Sequence, residues 1–469
     1  NQNTYRLRVE KDNDFNKVTS PILETLPRVD MGDYKKLVEF VRWAVERFPA
    51  KHYFISFWNH GSGWQRRNQP VMRGISFDDY SGNHITTEQM GIALKEISKM
   101  IGRKVDIVGA DACLMAMAEV GSEMADSVDY FVASEETEPG LGWPYHTFYE
   151  RWAAEPYASA EKISGFLVEE YYKYLSGQME ITLSALNLNQ LPMLWAAFRR
   201  MNQMIHALPV EKLMAVRSSG LAALPFYYRE YVDFGDWLKK VVEGVAGIDI
   251  GISSKLQTAI SDLVTANKTT PKYKAAQGVA FWLPETKVQL EKYLARYRNL
   301  RWSKETGWDE SLSTLISLPP CFLRENGQWA NEVLEFSSQY GETSWSARQA
   351  LGACDVATYG DNSSAWAPSS EQGTKEHITV GFASPVYATG AVIRETYGSG
   401  FVTQVEAFDS NGEYHVVWAG DDTSAPGTVA DFELRWPQTT YLVKGLRVTI
   451  DTDKQKSWEE IDSIQLLGK

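Results

Sequence analysis

The chain has 469 residues, more than one ordinary core accommodates, and predicts two or three domains of a globular protein that is 44% hydrophobic and 23% charged. Its 60 Asp plus Glu outweigh 47 Lys plus Arg, and the net charge of −13 opposes binding to nucleic acid or an anionic membrane and favours a cationic ligand. No apolar run reaches the roughly 18 residues of a membrane helix, and three cysteines, Cys113, Cys321 and Cys354, are too few for a disulfide framework.

The opening Asn1-Gln2-Asn3-Thr4 is no signal peptide, so the sequence reads as a mature or trimmed form. Residues 6–12 alternate like a strand, and residues 33–48 carry Leu37, Phe40, Val41 and Ala44 at helical spacing, with Asp33 as N-cap. An aromatic strand, 52–58, runs into His60-Gly61-Ser62-Gly63-Trp64. A polar loop with Arg66 and Arg67 follows, then a turn at 78–84 between short strands, and a helix from about Thr87. An aliphatic strand, 105–109, runs into Asp111-Ala112-Cys113, and the apolar pattern at 114–125 predicts a helix directly after the thiol. A strand at 130–134 comes next, then helices at 158–177 and 189–207 around a strand at 181–188. Further helices are expected at 229–245 and 253–268, and a strand at 278–283. This strand and helix alternation predicts an α/β fold around a mostly parallel sheet. After Pro319-Pro320 the character changes. Residues 378–382, 391–395, 404–409, 415–419 and 446–452 are strands separated by turns, and they predict an antiparallel β-sandwich. The domains are placed at 1–325 and 337–469, with 326–336 as a linker.

Open α/β sheets bind ligands beyond the carboxyl ends of their strands, where His60 and Cys113 both emerge. A thiol attacks a peptide carbonyl as thiolate. His60 would take its proton and pass it to the leaving amine, and the N–H groups of Gly61 and Cys113 would hold the oxyanion. A helix N-terminus behind Cys113 would lower the thiol pKa. Glu135 and Glu136, after the next strand, would deepen a negative pocket or else sit as surface charges. The seven histidines show no HExxH spacing, no Cys/His cluster suggests zinc, and no phosphate loop follows Gly61. The chemistry needs no cofactor.

His60-Gly61-Ser62-Gly63-Trp64 and Asp111-Ala112-Cys113-Leu114-Met115-Ala116, with 29–33 before and 134–145 after, resemble the clostripain family of cysteine peptidases, in the caspase-like clan with legumain and gingipains. The resemblance covers roughly residues 1–320 and implies a caspase-like sheet with a His60/Cys113 dyad, the imidazole lying across the scissile bond from the thiol. It also implies that Asp111 floors the pocket for the residue before the scissile bond, P1, with a preference for Arg or Lys. Substrates would be proteins or peptides with a basic P1. Family members process themselves between the His and Cys strands, which makes Arg66, Arg67 and Arg73 candidate cleavage sites, although a merely soluble basic loop reads the same way. The family usually carries one more strand before the region matching Asn1; either that strand was removed, or a short substitute near Arg6–Val9 supplies the sheet edge.

Residues 337–469 are similar to galactose-binding-like jelly rolls of the discoidin and pappalysin-associated kind. The resemblance rests on 345–353, 359–361, 365–366, 378–382 and 458–462. It implies a glycan or protein ligand and a structural Ca²⁺, for which Asp355, Asp361 and Glu460 are candidate ligands; Ca²⁺ can also activate clostripain-like enzymes. The whole reads as a bacterial cysteine endopeptidase, secreted or held at the cell envelope. The rival reading is an adhesin or carbohydrate-binding protein on an inactive protease-like scaffold. Whether Cys321 and Cys354 pair or stay as buried free thiols is open at this level.

Overall fold

The computed structural model describes residues 3–11, 17–66, 73–318 and 320–469, with the side chains of 66, 73 and 211 left aside. The chain divides into two compact units, residues 1–209 with 223–313, and residues 210–222 with 314–469.

In the first unit, β1 (Asn3–Leu7) pairs antiparallel with β2 (Ile22–Pro27) as a separate two-stranded sheet, so the segment near Arg6 does not edge the main sheet. Then come α1 (Tyr34–Arg47), β3 (Phe54–Trp58), β4 (Gly61–Arg66), β5 (Arg73–Ile75), α2 (Thr87–Ile101), β6 (Val105–Asp111), α3 (Ala118–Met124) and β7 (Val128–Ala133). They are followed by α4 (Tyr145–Ala154), α5 (Ala160–Leu175), β8 (Thr182–Asn187) and α6 (Leu191–His206). After α7 (Val210–Leu221), which belongs to the second unit, lie β9 (Tyr231–Asp233), α8 (Phe234–Gly244), α9 (Ile250–Leu263), β10 (Val264–Thr269), β11 (Ala280–Trp282), α10 (Lys287–Tyr297), α11 (Arg301–Thr306) and α12 (Trp308–Ser317).

The central sheet has the order β10-β8-β7-β6-β3, with β3, β6 and β7 parallel and β8 and β10 antiparallel to their neighbours. β6 is buried along its whole length, and its sequence accordingly lacks the polar alternation of a half-exposed strand, with only Asp106 and Asp111 charged. Ile107, Val132, Leu183 and Ala185 on one face pack with Phe148 of α4 and Phe166, Leu167 and Tyr171 of α5. Asp33 caps α1 by accepting from Lys35 N–H, and Thr86 and Gln89 form a reciprocal capping box on α2. The helix expected at 253–268 stops at Leu263, and the chain continues as β10, pairing with β8 through polar residues that carry no strand-like apolar pattern. The strand expected at 278–283 pairs with β9 outside the main sheet.

The second unit holds β12 (Gly327–Phe336), β13 (Lys375–Tyr397), β14 (Val402–Asp409), β15 (Tyr414–Ala419), β16 (Ala430–Arg435), β17 (Leu442–Asp451) and β18 (Glu460–Gly468), all antiparallel. Residues 326–336 are therefore not a linker: they form β12, a polar edge that pairs with β18 and β13. The strands expected at 378–382 and 391–395 are one, β13, which shifts register between Gly381 and Val386. Its first half pairs with β12 and β17, its second with β16 and β18. Ile378, Val380, Ile393, Val405, Val448 and Ile464 fill the interior. Cys321 and Cys354 are joined, closing a loop across 33 positions.

Candidate active site

β3 and β6 lie side by side, parallel, with Trp58 opposite Asp111. His60 and Cys113 each sit two residues past that pair, so both leave the same end of the sheet at the same offset. Asn59 fixes the first turn: its N–H donates to Asp111 O (3.3 Å), while its side-chain oxygen accepts from His60 N–H (2.7 Å) and Phe77 N–H (3.2 Å). His60 is exposed. Gly61 is pressed onto the nucleophile segment so closely that a Cβ there would lie 2.3 Å from Cys113 O and 3.1 Å from Cys113 N. No other residue permits that approach.

The Cys113 sulfur accepts from Glu138 N–H at 3.2 Å. The helix expected behind Cys113 starts only at Ala118, so its N-terminus does not face the thiol. Leu114 instead turns through the left-handed region (φ 64°), and the following residues zip onto the next loop, Leu114 N–H to Glu136 O (3.1 Å) and Ala116 N–H to Ser134 O (2.9 Å). Burial pushes the thiol pKa up, against the pull of N–H groups from Glu138 and Gly61. Cys113 itself is half-buried.

Asp111 is 3% exposed, roofed by the loop 138–145. One of its oxygens accepts from Trp143 N–H and from the Tyr145 hydroxyl, both at 3.0 Å. Gly142 (φ 65°) crosses over it, and a Cβ there would lie 3.1 Å from that oxygen and 3.2 Å from the Trp58 indole nitrogen. Glu138 stands beside Asp111, one oxygen accepting from Trp143 Nε1–H (2.9 Å) and the other enclosed. Burial raises both carboxyls; Asp111 raises Glu138 further, well above the usual carboxylate range, whereas the hydrogen bond with Glu138 pulls Asp111 back down. Glu138, Asn59 and Tyr145 escaped the sequence reading. The Glu138-Pro139-Gly140 turn within the resemblance was the signal available for Glu138.

Glu135 does not belong to this pocket. It is 1% exposed with both carboxyl oxygens sealed in, and burial beside Asp233 raises its pKa well above the usual carboxylate range. Its neighbour Glu136 points elsewhere, accepting from Thr137 N–H and the Tyr273 hydroxyl, and lines a cavity of about 400 Å³ with Phe226, Tyr227 and Lys272. Arg66 ends β4 and Arg73 opens β5, paired across the ladder; Arg67 lies outside the described residues. The calcium trio is not brought together. Asp355 N–H donates to Asp462, whereas Asp361 and Glu460 share the Trp345 indole N–H, and among the described residues no three His, Cys, Asp or Glu side chains form a metal set.

The model of the clostripain family matches residues 2–315, and that of the C-terminal SD scarf domain of pappalysin-1 matches 324–469. Clostripain of Hathewaya histolytica is 29% identical over 152 residues, a match spanning 31% of this chain and only 28% of that protein. A secreted C11 cysteine protease from Bacteroides thetaiotaomicron, solved with an irreversible peptide inhibitor, is 19% identical and shares the fold. The alignment covers 66% of this chain and 86% of that one, with a TM-score of 0.50. An inactive zymogen C11 protease from Parabacteroides distasonis aligns at 21% identity over 64% and 83%, with a TM-score of 0.47. With its two signature strands side by side and the family model spanning two thirds of its length, the chain belongs to the clostripain family.

Proposed function

We propose that this protein is a cysteine endopeptidase that cuts after Arg, and after Lys more weakly. The observation that carries the reading is the paired offset of His60 and Cys113 beyond adjacent parallel strands, with Gly61 against the Cys113 main chain. Cys113 Sγ attacks the scissile carbonyl carbon as its proton passes to His60. The oxyanion rests on the N–H groups of Gly61 and Cys113. His60 then protonates the leaving amine as the C–N bond breaks, and water hydrolyses the thioester to release the acid and restore the thiol. Asp111 supplies charge for the P1 guanidinium, whose planar fork suits a carboxylate better than an ammonium does. The β4–β5 connection between Arg66 and Arg73 is the proposed site of self-cleavage, and Ca²⁺ a proposed activator. The Cys321–Cys354 bond supports a secreted or cell-envelope location, since disulfides persist in oxidising compartments. No helix among the described residues is long and apolar enough to cross a membrane.

Initial rates on fluorogenic peptides differing only at P1, for wild type and Cys113→Ala with and without calcium, test the reading. Cleavage confined to Arg and Lys and lost in the variant is expected. Equal rates on neutral P1 residues would remove Asp111 from its role, and activity surviving in Cys113→Ala would remove the nucleophile.

A further inference from the structure

In the second unit three aromatic rings line a small cavity, one of them nearly perpendicular to the other two. Tyr340 meets Trp345 at 5.5 Å between centroids (79°) and Trp458 at 5.1 Å (76°). With Asp361, Ala367 and Glu460 they line a space of about 80 Å³. That is far below the several hundred Å³ of a pocket that swallows a whole metabolite, and suits a single compact group.

Its floor is acidic, with Glu460 raised to about 8 by burial and by Asp361 beside it. The Trp345 indole N–H donates to Asp361 (2.9 Å) and to Glu460 (3.2 Å), which brings two carboxylates together behind one ring. Glu460 is fully buried and also accepts from Asn362 N–H (3.1 Å), while Asp361 is exposed at the rim. Neither carboxylate has an ion-pair partner among the described Lys, Arg and His side chains, although this unit pairs Arg324, Arg394, Arg447 and Lys454 elsewhere. Trp345 itself sits in the left-handed region (φ 52°), a conformation a bulky residue adopts only when its surroundings impose it, and one found preferentially at ligand sites. Aromatic faces and an acidic floor without an ion-pair partner attract the same kind of guest: an organic ammonium ion, held by cation–π contact with the rings and by charge at the floor.

We infer that Tyr340, Trp345 and Trp458, over Asp361 and Glu460, form a cage for the ammonium head of an organic cation, independent of the peptidase site. The head is either quaternary, as in choline, which meets the rings with its methyl groups, or primary, as in a lysine side chain, which also donates hydrogen bonds to the acidic floor; both bring one positive charge. A sugar ring is too large for the space, and a metal ion would find only two carboxylates.

The test titrates the full-length Cys113→Ala protein, followed by tryptophan fluorescence and calorimetry, with choline, with propylammonium, and with 3,3-dimethylbutan-1-ol, the neutral isostere of choline. Binding of either cation at least roughly tenfold tighter than the isostere is expected, as a desolvated cation–π contact would give, and the tighter of the two identifies the source. Tyr340→Ala and Asp361→Asn, both at exposed positions that leave the core intact, should each weaken the cation severalfold and leave the isostere unchanged. Equal binding of cation and isostere would reduce the site to an apolar dimple. Calcium binding that depends on Asp361 without any response to the ammonium ions would make it a metal site. Either result, or no binding of the cations, overturns the inference.

Discussion

Replacing Glu138 with Gln isolates the role of the carboxyl pair beneath the roof of the pocket. Burial raises both acids and Asp111 raises Glu138 further, while the hydrogen bond with Glu138 lowers Asp111, an arrangement that favours one proton shared by the pair and kept on the Glu138 side. A glutamine oxygen can still accept from Trp143 Nε1–H, and its NH₂ can donate to Asp111 where the shared proton stood, so the variant should copy the resting wild type in both shape and charge. The difference emerges when a guanidinium arrives. Wild type can expel the proton and offer a second negative charge, which the Glu138→Gln variant cannot. While that proton is being expelled, kcat/KM for an Arg substrate gains up to tenfold for each pH unit, about 1.4 kcal/mol. The assay is the ratio of kcat/KM on a P1-Arg peptide to that on its neutral citrulline twin from pH 6 to 9; taking the ratio cancels the titration of Cys113 and His60. The ratio should climb with pH in wild type and stay flat in Glu138→Gln. Identical profiles in the two proteins would refute the reasoning.

Gly61→Ala should leave a folded protein whose kcat falls by roughly 10²- to 10³-fold, the cost of losing an oxyanion donor, because the new methyl would press on Cys113 O at 2.3 Å; single-turnover acylation rates check this. Thermal melts should show greatest stability in mildly acidic buffer. Burial raises Glu119 to about 7, Glu459 to about 9 and Glu395 to about 10, so their contribution is complete below the ordinary carboxyl range near 4.5 and is lost as pH climbs through those values. Glu119 alone accounts for on the order of 3 kcal/mol, whereas Asp409, held at about 2 by Glu413 N–H and His415, withdraws its support only in strong acid. Reducing Cys321–Cys354 should lower the stability of the second unit by about 4 kcal/mol, the loop-closure entropy over 33 positions, leaving the first unit's melting transition in place; calorimetry with and without a phosphine reductant separates the two.

The paired placement of His60 and Cys113 was legible because its signal is local: two apolar runs, each ending in a reactive residue, require only that neighbouring strands share a direction. What failed to read were decisions made by distant contacts. Residues 114–117 are as apolar as a helix face, but the N–H groups of Leu114 and Ala116 are taken by Glu136 and Ser134, which delays α3 to Ala118 and removes a helix end from the thiol's surroundings. Glu135 and Glu136 are adjacent and chemically alike, and only the position of Asp233 and Tyr273, some hundred residues on, sends one into the interior and the other to a cavity wall. Glu138 carries the opposite lesson, for it looks like a surface acid in a Pro-Gly turn and becomes a pocket group only once Trp143 folds over it. β12 passed for a linker because an edge strand with little buried surface need not be apolar.

Under load, β13 would make the second unit behave as a shear joint rather than a zipper. One continuous strand of 23 residues is bonded to β12 and β17 along its first half and to β16 and β18 along its second. A force that slides one half of the sandwich past the other must therefore break several ladders at once, not peel them in turn. A module that grips its ligand while being tugged gains from that arrangement, since extension is resisted by simultaneous rupture until the whole strand gives way.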